Sequence, residues 1–257
     1  MEYYQYKNAE ASLDKKLNYR RHFLKMLGAM SKLGKGDRVE VKRPANPLKG
    51  HRSVRLSLAG GTRNEHDFQT LSFRPSFHDL TDNDDGFIKG THIEFFNTEI
   101  SNFNDEVRIE RMNLLAIESF SPRNAFFKPT AWRIKVAWDR EFKDDEIRPT
   151  VWGGSGLSWG NDYGFIYINV DAKAYYKTYL DTAVSGSFGG VWDQGSKAKM
   201  VFETSYSYFD DGFHQRINSA SQNITLAQNH ALSLSYKSIQ KSVGDDEQIL
   251  FHYKYYY

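Results

Sequence analysis

The sequence predicts an all-β protein: an antiparallel up-and-down β-barrel of about twelve strands over residues 51–257, behind a helical lead-in and linker over residues 1–50. Three observations predict it. From residue 51 to the end, apolar and polar side chains alternate with a period of two. Turn residues interrupt that alternation at regular intervals. And 16 Tyr, 18 Phe and 5 Trp coexist with a negative mean hydropathy, as in strands with one wet and one dry face.

The lead-in comes first. Leu13, Leu17, Phe23, Leu24, Leu27 and Met30 recur at three- and four-residue spacing, so residues 8–34 read as an amphipathic helix. Gly34 and Gly36 supply a stop, and Pro44 and Pro47 forbid continuation. Lys15, Lys16, Arg20 and Arg21 lie between the apolar positions. The helix therefore either docks on the following domain or lies on a membrane surface with its basic face outward.

The strands follow. Val54, Leu56 and Leu58 alternate with Arg55 and Ser57, and Leu71 and Phe73 with Ser72 and Arg74. Val107 and Ile109 lead a stretch that ends at Leu115 and Ile117. Trp132, Ile134, Val136 and Trp138 alternate with Arg133, Lys135 and Asp139. Residues 165–168 are apolar throughout. Met200, Phe202, Tyr206 and Tyr208 share a face, as do Leu232, Leu234 and Tyr236. Separators include Gly60-Gly61, Asp82 to Gly86, Asn102 to Asp105, Gly160 to Asp162, Asp210 to Gly212 and Gly244 to Asp246. That is roughly 17 residues per strand and turn, with no long helical segment between strands, which excludes a βαβ architecture.

Composition narrows the function classes. A formal charge of +2 offers no global field for nucleic acid. Without cysteine there are no disulfides and no thiolate chemistry. No apolar run approaches a membrane-spanning helix. The start, Met1-Glu2-Tyr3-Tyr4-Gln5, lacks the charged-then-apolar form of a signal peptide, so the chain is either cytosolic or the tail of a longer exported one.

The direction of the apolar faces decides between a membrane barrel and a soluble one, and alternation alone leaves that open. In the last stretch Phe251, Tyr253, Tyr255 and Tyr257 lie on one face, with Leu250, His252, Lys254 and Tyr256 on the other. Trp132 and Trp138 share a face about 20 Å apart at 3.3 Å per residue, which suits the two edges of a bilayer. These six aromatics are the expected membrane-interface residues. Residues 213–226 fit lipid poorly, because Arg216, Asn218 and Gln222 share a face. Arg111 and Asn113 likewise interrupt the face begun by Val107 and Ile109.

Four strings carry a resemblance: Asn46-Pro47 with Gly50 to Leu56, Phe73 to Leu80, Pro129 to Ile134, and Trp152 to Leu157. Together they resemble the C-terminal β-rich region of bacterial envelope proteins whose N-terminal domain is papain-like, similar to the lipoprotein intramolecular transacylases. The resemblance covers nearly the whole chain. It implies export, an outer-membrane or periplasmic setting, a lipid bilayer or detergent as partner, and a papain-like periplasmic domain as a further partner. The papain-like segment and its catalytic cysteine have no counterpart here, so no acyl-transfer residue carries over. The expected function is a non-enzymatic outer-membrane barrel that anchors or scaffolds a catalytic domain. The alternative is a soluble periplasmic barrel that holds a small or lipidic ligand inside.

No catalytic residue, cofactor or metal is assigned. Arg55, Arg74, His78 and Asp79 form the one expected interior cluster, either a polar network bracing the barrel or a site for an anionic group. A His78–Asp79 base pair is disfavoured because adjacent strand residues point to opposite faces. Asp82, Asp84 and Gly86 miss the calcium-loop spacing and read as a solvated turn. Gly153 to Gly156 lacks the phosphate-loop lysine and reads as a bulge or bend. The eight histidines never fall at metal-ligand spacing.

Overall fold

The computed structural model describes residues 2–33, 46–242 and 244–257, in two units, Met1–Pro44 and Ala45–Tyr257. Gly34, Gly36 and Pro44, the expected helix stop, lie outside the described residues.

The first unit holds two helices rather than the single one expected over 8–34: α1, Glu2–Glu10, and α2, Leu13–Met30. The break falls at Ser12, whose extended backbone and carbonyl oxygen start α2 by accepting from the amides of Lys15 and Lys16. The Tyr4 ring of α1 stacks on His22 of α2, 5.4 Å between centroids.

The second unit is the expected antiparallel barrel. Its strands are β1 (Arg55–Arg63), β2 (His66–Arg74), β3 (Ser76–His78), β4 (Thr91–Phe103), β5 (Glu106–Ser119), β6 (Ala131–Asp139) and β7 (Arg148–Asn161). They continue with β8 (Gly164–Tyr176), β9 (Leu180–Asp193), β10 (Ala198–Phe209), β11 (His214–Ala227), β12 (His230–Lys241) and β13 (Asp246–Tyr256). Consecutive strands pair antiparallel, and β1 pairs with β13. β2 pairs with β4 directly, leaving the short β3 as an addition beside β4. Twelve strands thus close a cylinder with no free edge. An even strand count brings the chain in and out at one rim, here called the terminal rim; the other is the far rim.

Tight two-residue turns at Asn64-Glu65 and Asn104-Asp105 join far-rim strands, with both residues at positive φ as such hairpins require. The Gly60-Gly61 pair, expected as a separator, lies inside β1 instead. A Cβ on Gly61 would stand 1.9 Å from the Ile249 carbonyl oxygen of β13, so the glycine serves a close strand approach. Gly153 to Gly156 is likewise no bulge: β7 stays in unbroken register with β6 and β8, and a Cβ on Gly156 would meet the Ile168 carbonyl oxygen at 1.8 Å.

The apolar alternates point outward. Leu56, Leu58, Leu71, Phe73, Ile134, Val151, Ile166, Ile168, Val170, Phe188 and Leu234 are exposed, while their neighbours Ser57, Thr70, Ser72, Arg133, Asn169, Asp171, Ser187 and Ser233 are buried. A soluble barrel has the reverse arrangement. β5 reconciles its awkward sequence with this rule through two bulges. An extra residue at Glu110, opposite the Glu99–Ile100 step, turns Arg111 and Asn113 inward, where Asn113 donates to Glu94 at 3.0 Å. A second follows between Asn113 and Leu115. β11 has no such correction: Asn218 stays on the outer wall, accepting from Thr204 at 2.8 Å and from Arg216 at 3.1 Å.

Apolar clusters fill the lumen at two levels, and a cavity of about 260 Å³ bordered by Asp84, Lys199 and Asn223 opens at the terminal rim. Leu80, Phe120, Ala131, Phe165, Tyr167 and Val191 form a cluster toward the terminal rim, with Phe120 and Tyr167 stacked at 3.9 Å. Phe142, Tyr175, Ala183, Phe209 and Phe213 form a second at the far rim. Between them Arg133 forks onto Asp171 at 2.9 and 2.6 Å and reaches Glu203 at 2.8 Å.

Reversing polarity on the outer wall should be costly in lipid only. Ile168→Arg, in the middle of β8, is expected to lower stability by about 2–4 kcal/mol in urea unfolding from phospholipid vesicles.

Candidate functional site: a buried charge hub at the terminal rim

The β1–β2 hairpin creates the problem that this site solves. Its register places Arg55 directly opposite Arg74, and across the closing seam Arg55 also faces Tyr256. Both arginine side chains point into the lumen, and Arg74 is fully buried. Two like charges facing each other across an antiparallel pair repel, and burial sharpens the cost.

The chain answers with the segment after β3. Residues 79–90 fold inward, and Asp79 and Asp82 meet both guanidiniums. Arg55 Nη1 bonds Asp79 and lies 3.3 Å from Asp82 Oδ1. Arg74 Nη1 reaches Asp82 Oδ2 at 2.7 Å and Asp79 Oδ2 at 3.1 Å. Glu94 of β4 stands 3.8 Å from Arg55 and 4.0 Å from Arg74, held by the Asn97 and Asn113 amides. Tyr256 donates to Asp82 Oδ1 at 2.6 Å. Lys199 of β10 caps the Asp82 carbonyl oxygen at 2.5 Å, and Lys254 of β13 reaches the Thr81 hydroxyl at 2.8 Å. One short loop is thereby tied to β1, β2, β10 and β13.

Burial pushes the Asp79 carboxyl up, but Arg55, Lys254 and Arg74 outweigh it and hold it well below the usual carboxylate range. Burial also opposes ionisation of Asp82, yet Arg74 and Arg55 hold that carboxyl well below the range too.

The structure brings all four expected cluster residues, Arg55, Arg74, His78 and Asp79, into one buried site. His78 does not face Asp79. Its ring nitrogens stand 3.2 Å from His51 Nε2 and 3.2 Å from Asp84 Oδ1, so no base-and-orienter pair forms with its sequence neighbour. The reading of Asp82 as part of a solvated turn is overturned: its side chain is 0% exposed and is the acceptor shared by Arg74, Arg55 and Tyr256. His51, Glu94, Lys199, Lys254 and Tyr256 were not expected at the site. Only Tyr256 and Lys254 carried a signal, as the polar alternates of the last strand. Histidine spacing also misled. His51 and His78, far apart in sequence, converge with Asp82 so that one ligating atom from each lies within 4.8 Å of the others.

The expected interface aromatics Trp132, Trp138, Phe251, Tyr253, Tyr255 and Tyr257 stand on the outward face of their strands. The far rim carries a second network. Arg63 forks onto Asp246 at 2.8 and 2.8 Å and reaches Asp145 of the 140–147 loop at 2.8 Å; Arg108 reaches Asp145 at 3.0 Å. Behind it a lumenal cavity of about 40 Å³, lined by Glu110, Arg111, Glu141 and Lys237, has room for little more than water.

Comparisons with known proteins agree with this architecture. A family described as a domain of unknown function (DUF7840) matches residues 44–256. No curated protein matches the chain. Among solved structures it is similar to the NanC porin, at a TM-score of 0.50 and 9% identity over 79% of this chain and 99% of that one. The KdgM porin in complex with disordered oligogalacturonate has a TM-score of 0.48 and 7% identity over the same shares. At these identities the likeness to NanC speaks for the fold alone.

Removing one partner of the hub should expose its cost. Arg74→Met leaves buried Asp82 without its main cation and is expected to cost about 3–5 kcal/mol, read from urea midpoints in detergent micelles. For pH, the folded Asp79 and Asp82 carboxyls titrate below their unfolded values near 3.9. Their contribution is therefore complete above about pH 5 and lost as pH falls through the depressed values. Unfolding midpoints at pH 5 and pH 7 should differ no more in the wild type than in Asp79→Asn/Asp82→Asn.

Proposed function

This chain belongs to the DUF7840 family, and we propose that it is a sealed outer-membrane barrel that anchors a periplasmic domain rather than conducting solute. One observation carries the proposal. The wall is built for lipid, apolar outside and polar inside, yet the lumen is filled and braced from both rims by segments 79–90 and 140–147. Arg74, Tyr167, Tyr175, Phe68, Phe120, Phe142 and Phe209 are all fully buried side chains. A diffusive pore has a water-filled interior of comparable polarity. Here the same polar side chains are spent on one another.

A membrane cylinder without a channel still offers a fixed position. Because the chain enters and leaves at the terminal rim, a domain fused ahead of residue 46 joins the barrel there, beside the charge hub. The resemblance of residues 46–56, 73–80, 129–134 and 152–157 to envelope proteins with a papain-like domain supports that domain as the anchored partner. The aromatics Trp132, Trp138, Phe251, Tyr253, Tyr255 and Tyr257 then sit against lipid. The soluble ligand-binding alternative would bury these rings, and the outward wall disfavours it.

The absence of native cysteine makes the orientation directly measurable. In intact cells a membrane-impermeant maleimide should label Asp105→Cys, at the far rim, and label Asp162→Cys, at the terminal rim, only after the outer membrane is permeabilised. The opposite pattern, or equal labelling of both, would refute the anchored orientation. In planar bilayers the purified wild type is expected to give no sustained conductance; steady open-channel currents would refute the sealed lumen.

A further inference from the structure

We infer that His51, His78 and Asp82 form a divalent-cation site, of the class that takes zinc, at the terminal rim. The argument starts from which ring nitrogens carry protons. His51 Nδ1 lies 2.7 Å from the Arg52 carbonyl oxygen, which can only accept, so Nδ1 donates and Nε2 is left as a lone pair. His78 Nε2 lies 3.2 Å from Asp84 Oδ1. Asp84 in turn is ion-paired with Lys199 at 2.7 Å, so it is an ionised acceptor and His78 Nε2 donates. With His78 neutral, its Nδ1 is a lone pair as well, and it stands 3.2 Å from His51 Nε2. Two acceptors that close repel unless a proton or a metal cation bridges them.

The spacing of the two nitrogens suits a metal that sits to one side of the line between them and binds both. Two imidazole nitrogens on tetrahedral zinc, each at 2.0–2.1 Å, stand about 3.3 Å apart. Asp82 Oδ2 lies 3.9 Å from His51 Nε2 and supplies the third ligand. Two histidines and one carboxylate with the fourth position left to water is an established zinc donor set. The outer partners are also those of a metal site: a backbone carbonyl on one histidine, a carboxylate on the other, and Arg74 orienting Asp82 at 2.7 Å. Phe87 stacks on both imidazoles, 4.7 Å from His51 and 4.4 Å from His78, and shields them. All three ligands are buried.

The surrounding charge moderates the affinity. Asp79, Asp82, Asp84 and Glu94 are already matched by Arg55, Arg74, Lys199 and Lys254, so a dication adds net positive charge. The metal would tie the 79–90 segment to the stretch just before β1. It would therefore act at the point where a fused domain joins the barrel.

The test uses the full chain folded in detergent micelles, stripped with a chelator and then titrated with Co²⁺ and Zn²⁺. The wild type is expected to take up one equivalent per chain, with the visible absorption of tetrahedral nitrogen- and oxygen-ligated cobalt, displaced by zinc. His51→Gln and His78→Gln should lose that spectrum. Asp84→Asn should keep it with an affinity lower by about 10–100-fold. His230→Gln, on the outer wall, should bind as the wild type does. Heat-shifted gel mobility confirms that each variant is folded. Should the histidine variants fail to fold, the wild-type spectrum and the Asp84→Asn shift decide. Absence of stoichiometric uptake by the wild type would overturn the site. So would folded His51→Gln and His78→Gln proteins that load as the wild type does.

Discussion

Arg55 and Arg74 face each other inside a closed cylinder, and the arrangement of the terminal rim follows from neutralising them. Neither guanidinium can turn to water without reversing the alternation of its strand, which would drive Leu56 and Phe73 into the lumen. The counter-charges must therefore come to the arginines. The segment after β3 delivers them, and in doing so becomes a plug. Asp82 is central because it accepts from both arginines and from Tyr256 while its backbone carbonyl is capped by Lys199. The loop anchors Leu80 in the terminal-rim cluster and Phe87 against the two imidazoles, and the charge-assisted contacts fix its position.

The same logic recurs along the barrel. A wall that turns its apolar side chains outward must carry its polar ones inside, and buried ions are tolerated only when paired. Arg133 with Asp171 and Glu203 settles the middle, and Arg63 and Arg108 with Asp246 and Asp145 settle the far rim. Where a strand's sequence breaks the alternation, the backbone absorbs the error. The extra residue at Glu110 moves Arg111 and Asn113 from the wall to the interior, where they join the lumenal network. The outward polar stripe of β11 has no such remedy, and its Asn218 is satisfied by Thr204 and Arg216 on the wall itself.

A porin-like fold with a filled lumen separates architecture from use. The similarity to NanC reaches the strand cylinder and stops there, because the contents of the cylinder are set by side chains that share little with it. What the interior of this chain provides is rigidity. The rims are locked by opposite charges drawn from strands distant in sequence.

The alternation of residues 51–257 was enough to specify a twelve-stranded antiparallel cylinder, because side-chain period and strand pairing are local properties of the chain. The shared face of Arg55 and Arg74, and the common face of Phe251, Tyr253, Tyr255 and Tyr257, were legible for the same reason. The fate of the loops was not. Asp82 reads as a turn residue next to Asn83, Asp84 and Asp85, and only the approach of β10 and β13 makes it the most buried acceptor at the rim. His51 and His78 meet for the same cause, since the partners of a loop side chain are chosen by closure. The glycines of β1 and β7 looked like interruptions because their purpose, room for a neighbouring carbonyl, exists only once that neighbour arrives. Which way the oily faces point was likewise open in a period of two, which is symmetric between inside and outside. The tertiary structure broke that symmetry: Arg133 meets Asp171 and Glu203 inside, which settles the buried charge of that face, while Ile134, Ile168 and Val170 face outward.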